Sequence, residues 1–161
     1  LAVFSIGIAI GSVAVNRLLK GQVSARYSPA SVIVMGLFVL AFYWVCRNWE
    51  HDPSGVMYGI DGFLGHADVI PLLASLLGIA ISGGMFVVPL YAFLTTTVPK
   101  DQTARTVAAN NIVNSGAMVA GSLLAIGLGF AGVGVVDQLL MSAVMCIISA
   151  WLALKLHRAC D

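Results

Sequence analysis

Long uncharged stretches alternate along this chain with short polar segments. Leu1 to Asn16 carries no charge, and Arg17 to Pro29 is polar and basic. Ala30 to Trp49 is apolar, and Glu50 to Asp68 is the longest polar segment. Ile70 to Val98 is then uncharged for 29 residues and Thr106 to Val136 for 31, before a last apolar run from Gln138 to Leu154. A bilayer core needs about 20 apolar residues per helix. The pattern therefore predicts an all-α polytopic membrane bundle with five spans, at about 1–19, 30–49, 70–98, 106–128 and 138–156. The first run is short, so its helix either continues through Arg17-Leu-Leu-Lys20 or begins before Leu1.

Glycine and proline set the expected boundaries. Ser28-Pro29 marks the start of the second helix. Gly83-Gly84 and Pro89 interrupt the third span, and Pro89 predicts a kink or break near Phe86 to Pro89. The fourth helix is expected to run about 20 residues from Thr106, then give way to a turn rich in Gly127, Gly129, Gly132 and Gly134. Gly7 and Gly11 form a GxxxG pair, expected to serve packing inside the bundle rather than a dimer. Tyr43, Trp44 and Trp49 close the second span, where a ring with a polar edge suits the headgroup level.

Composition strengthens the membrane reading. Hydrophobic residues make up 60% of the 161, charged residues 9%, and mean hydropathy is +0.98; a soluble domain carries about 25% charged residues. A net charge of +1 gives no electrostatic footprint for nucleic acid. Cys46, Cys146 and Cys160 form neither a disulfide framework nor a ligand motif. No basic leader precedes the first apolar run, so no signal peptide is read there, and the chain is expected to be a piece of a longer protein. Loops on one side hold Arg17, Lys20, Arg26, Lys100, Arg105, Lys155 and Arg158, and the other side holds Arg47 alone. That bias assigns the basic side and the C-terminus to the cytoplasm.

Polar residues inside the spans are few. Asn110 and Asn114 share a helix face, and Asn111 and Asn114 are also neighbours. An amide in hydrocarbon needs a partner, so these three either bond to another helix or line a cavity. Tyr91 and Thr95, with Thr96 and Thr97, follow Pro89 and point to a pathway or to a packing kink. Arg105 reads as a topology anchor. Glu50 to Asp68 reads as a solvated acidic loop, and Glu50-His51-Asp52 within it as no metal site, since adjacent residues rarely converge on one ion. No acid or base lies deep in a span, and no nucleophile–base pair is evident, so neither enzyme activity, cofactor nor metal is expected.

Three stretches resemble a known family. They are Gly-Ser-Val-Ala-Val-Asn-Arg-Leu-Leu-Lys-Gly-Gln-Val-Ser-Ala-Arg-Tyr-Ser-Pro from Gly11 to Pro29, Val88-Pro-Leu-Tyr-Ala92, and Ala104-Arg105 with Ala108-Ala-Asn-Asn-Ile-Val-Asn114. The hydropathy and the basic loop with Arg17, Lys20 and Gly21 look like the C-terminal half of a major facilitator superfamily transporter. The three stretches look like its bacterial lysophospholipid transporter branch. Thr95 stands where that pattern has Gln, and Ser115-Gly116-Ala117 replaces a bulkier apolar run.

The resemblance implies that the five spans are the eighth to twelfth helices. The seventh helix and an N-terminal half would be supplied elsewhere in the same transporter. It implies movement of lysophospholipid to the cytoplasmic leaflet of a bacterial inner membrane by alternating access, with Asn110, Asn111, Asn114, Tyr91 and Thr95 along the substrate pathway. The implied partners are membrane lipid and an acyltransferase/acyl-carrier-protein synthetase, fused in some members. The alternatives are a major facilitator transporter of a small polar solute or drug, and a membrane anchor for a fused phospholipid acyltransferase.

Overall fold

The computed structural model describes residues 1–20, 27–49 and 59–160, with the backbone alone for 60 and 156–160. Among these residues every regular element is an α-helix: α1 (Ala2–Leu18), α2 (Ser28–Arg47), α3 (Ile60–Leu64), α4 (Val69–Thr97), α5 (Thr103–Phe130) and α6 (Gln138–Cys160). Hydrocarbon offers no partner for a free N–H or C=O, so an apolar chain satisfies its backbone within helices. Four helices are long and apolar enough to cross a membrane: α2, α4, α5 and the Gln138–Lys155 part of α6. The fifth expected span, α1, is a shorter apolar helix of 17 residues. Arg26 and Glu50-His51-Asp52 lie outside the described residues.

Local chemistry fixes the helix ends. Pro29 sits in the first turn of α2, where its missing N–H would have no intrahelical partner anyway. Helix α1 closes with Lys20 in the left-handed region at φ 50°, its N–H donating to the Arg17 carbonyl. Glycine is the usual occupant of that position.

Small residues decide how the helices cross. Gly7, Gly11 and Val15 form the buried stripe of α1. That stripe lies against α4 so closely that a Cβ at Gly7 would be 2.5 Å from Ala80 Cβ, and one at Gly84 would be 2.7 Å from the Ile8 carbonyl oxygen. The GxxxG pair is thus used within the chain. On the next face of α4, the Phe38 ring of α2 covers Gly78, with ring carbons 2.5 Å from where a Cβ would stand. Helix α6 presents Ala143, Cys146, Ala150 and Ala153 as its buried stripe, and Gly36 of α2 meets Cys146. Val32, Cys146 and Ala150 form a core with Met35 and Phe86 packed on it. Lipid tails are as apolar as leucine, so close packing holds such a bundle rather than escape from water.

The helix pairs fix direction. Gly7 meets Leu77 and Ala80 while Gly84 meets Ile8 and Ser12, so α1 and α4 run parallel. Gly78 meets Phe38 and Gly83 meets Met35, so α2 runs against α4; Gly36 meets Cys146 and Arg47 meets Asp137, so α6 runs against α2. Arg17, Lys20, Lys100, Arg105 and Lys155 therefore lie at one end of the bundle. At the other end Arg47 Nη1 donates to Asp137 Oδ1 at 2.8 Å and to Tyr43 Oη at 3.1 Å, and Tyr43 Oη donates to the same carboxylate oxygen at 3.3 Å. This network pins the end of α2 to the turn before α6.

Three expectations need correction, and the placement of α5 is a finding that no expectation covered. Of the kink or break expected at Pro89, the break does not occur: α4 is helical on both sides and the proline is buried. Pro89 costs the Met85 carbonyl its donor, yet a full break would strand several groups in hydrocarbon, so the helix resumes. Helix α5 does not stop at about residue 128 but includes Gly127 and Gly129, and only the segment around Gly132 (φ +85°) turns. The described part of the polar segment before α4 is not simply a solvated loop. It contains α3, and Trp49 stacks on His66 (4.4 Å between centroids) and Phe63 (6.1 Å). Finally, α5 buries no residue at all, so it is not packed into the bundle as the other spans are.

Candidate functional site

Helix α5 packs only sparsely on α4, to which the short connection at residues 98–102 joins it. Between the two lies a cleft of about 450 Å³. Its α4 wall is Phe86, Val87, Leu90, Tyr91, Phe93 and Leu94, and its α5 wall is Asn110 and Asn114. The α4 residues are one and two helical turns apart, as a single face requires. Asn110 and Asn114 are also one turn apart; Asn110 is half-buried and Asn114 exposed.

The cleft is amphipathic and carries no formal charge. Two amides supply donors and acceptors, and Tyr91 adds a hydroxyl that does both. The rest of the wall is aromatic and aliphatic. Such a surface can bind a polar but flexible group by hydrogen bonds while an attached hydrocarbon lies on the rings. It offers no cation to hold an anion by charge alone. Arg105 is exposed in the first turn of α5, at the basic end.

The structure brings together three of the five residues expected along a pathway. Asn110, Asn114 and Tyr91 line the cleft. Asn111 lies about 100° round the helix from Asn110, is exposed, and does not line it. Thr95 does not line it either. Its Oγ1 donates back to its own helix, 3.0 Å from the carbonyls of both Tyr91 and Ala92, and Thr96 does the same to Ala92 at 2.8 Å. Hydroxyls bonded one turn back are satisfied without a ligand. Pro89 is buried and lies off the cleft wall. Arg17 and Lys20 sit at the end of α1, away from it.

Phe86, Val87, Leu90, Phe93 and Leu94 complete the site, and none of them was expected along a pathway from the sequence. The one available signal was Phe86-Leu90-Leu94 at four-residue spacing just before a polar helix start. No group of three or more possible metal ligands occurs among the described residues. Comparison of the chain with protein-family models, curated proteins and solved structures gives no match in any of the three.

Proposed function

We propose that this chain forms the C-terminal half of a major-facilitator-type transporter and moves lysophospholipid to the cytoplasmic leaflet by alternating access. The observation that carries the reading is the uncharged amphipathic cleft between α4 and α5. A lysophospholipid has one acyl tail, a free glycerol hydroxyl, an ester and a phosphate. Asn110 and Asn114 can accept from the hydroxyl and donate to ester or phosphate oxygens, while Phe86, Leu90 and Phe93 meet hydrocarbon.

Two further features support it. Helix α5 leaves Ile112, Val113, Met118, Val119, Leu123 and Ile126 exposed and buries no residue against the other described helices, an apolar surface that a second half would cover. Two halves rocking about a midplane site is the motion alternating access requires. Helix α1 then serves as the fifth span: 17 residues reach about 26 Å at a rise of ~1.5 Å each. A modest local thinning, with Arg17 reaching for the interface, closes the remaining gap. The gathering of Arg17, Lys20, Lys100, Arg105 and Lys155 at one end supports a reading in which that end and the C-terminus face the cytoplasm of a bacterial inner membrane. An acyltransferase/acyl-carrier-protein synthetase, fused or separate, would consume the delivered lipid.

The test is uptake of headgroup-labelled lysophosphatidylethanolamine by spheroplasts expressing the full-length protein. Saturable import, competed by other lysophospholipids and lost in the Asn110→Ala/Asn114→Ala double variant at normal expression, is expected. No import above an empty-vector control, with the protein inserted, refutes the lipid reading. Unchanged import by the double variant removes the two amides from the site.

A further inference from the structure

The cleft between α4 and α5 has a neighbour on the α6 side of α4. Phe86 and Leu90 line the cleft, and the same two side chains also line a second hollow of about 190 Å³, whose other walls are Ser149, Leu152 and Ala153 of α6. The two hollows thus adjoin across one pair of residues. Polarity falls along the path from α5 to α6. Two amides and a phenol stand at the first end, and in the second hollow Ser149 is the only polar side chain. Helices α5 and α6 build no packed interface with each other among the described residues, so the path opens sideways along its length.

We propose that the two hollows form one groove for a single-chain amphiphile. Its polar head lies at Asn110 and Asn114, and its tail crosses Phe86 and Leu90 into the α6 hollow, where Ser149 and Ala153 set the chain length accepted. This rests on the transport reading above and names how that site would hold its substrate. A compact polar solute would fill the first hollow and leave the second unused. A tail one helix-width long uses both, and its sideways path lets it stay in hydrocarbon throughout. Because the tail leaves lipid rather than water, the groove gains little by burying it. Selection is by room: Ala153 is only 6% exposed, and Ser149 is half-buried.

The experiment is import of lysophospholipids of one headgroup and graded chain length by the full-length protein. Ser149→Phe fills the α6 hollow from its wall. It is expected to lower long-chain import on the order of tenfold, as an overpacked site would, and to leave short-chain import unchanged. Adding Leu90→Ala to that variant enlarges the passage and is expected to restore part of the long-chain import, which a merely misfolded protein would not show. An equal loss at every chain length with no rescue, or no loss at any, overturns the groove and leaves the transport reading intact. No import of any chain length by the unmodified protein overturns both.

Discussion

The α1–α4 crossing makes the sharpest stability prediction. A Cβ added at Gly11 would run into the Ile81 carbonyl oxygen, and would sit 2.9 Å from its carbonyl carbon and 3.1 Å from its Cα. All three are backbone atoms of α4, so no rotamer change relieves the clash. The helices must part by about 1 Å, enough to forfeit a quarter to a half of each dispersion contact they share. Overpacking typically costs about 1–3 kcal/mol, and backbone against backbone belongs at the upper end. Alanine for glycine returns about 0.5–1 kcal/mol of helix propensity. Gly11→Ala is therefore expected to destabilise by about 2 kcal/mol. Gly116→Ala on α5, with nothing within 4 Å of the added carbon, should stabilise by about 0.5–1 kcal/mol. Gly7 refines the test, because its nearest neighbour is the Ala80 methyl: Gly7→Ala should destabilise, and Ala80→Gly in the same chain should recover most of the loss. Reversible denaturation in micelles, followed by helical circular dichroism, reads all four. If Gly11→Ala and Gly116→Ala shift stability in the same direction by similar amounts, the close crossing is refuted.

Two further outcomes follow from the ends of the bundle. The Arg47–Asp137 pair has side chains 58% and 45% exposed, so a double-mutant cycle of Arg47→Gln and Asp137→Asn should give a coupling of about 0.2–1 kcal/mol; several kcal/mol would mean the pair is shielded from water. In a background without the native cysteines, a membrane-impermeant maleimide applied from outside should label Gly134→Cys and spare Lys100→Cys, and the reverse pattern would invert the topology.

Much of the helical frame was legible in the residues because a membrane imposes it locally. Each backbone group must be satisfied within its own helix, so the uncharged runs mark α2, α4, α5 and α6 to within a few residues, and Pro29 marks where α2 begins. The same rule explains the misreadings. Pro89 and the Gly127–Gly129 pair carry signals that end a helix in water, where freed carbonyls find solvent. In an apolar segment they find none, and the helix continues through them.

The site was half legible. Asn110 and Asn114 stand out because amides are costly in hydrocarbon, and four-residue spacing puts them on one face. Thr95 and Asn111 carry the same polar signal but do not reach the cleft. A hydroxyl can return to its own helix, as that of Thr95 does, and a one-residue step turns Asn111 away from Asn110. Phe86, Leu90 and Ser149 were invisible, since an apolar residue or a lone serine in a span reads the same against lipid, a neighbouring helix or a groove.

By itself, then, the sequence determined the class of solvent, the helices, the side on which the cations gather and the face that carries the amides. These follow from transfer energies and from the 3.6-residue period, both local properties. Only the tertiary structure decided that α4 stands between α1 and α2, that α6 packs on α2, and that α5 stands apart and opens a cleft. Helix-to-helix choice in hydrocarbon turns on which small residues let two backbones meet, as Gly11 does at Ile81 and Gly78 does under Phe38. That complementarity belongs to pairs of surfaces and cannot be read from either one alone.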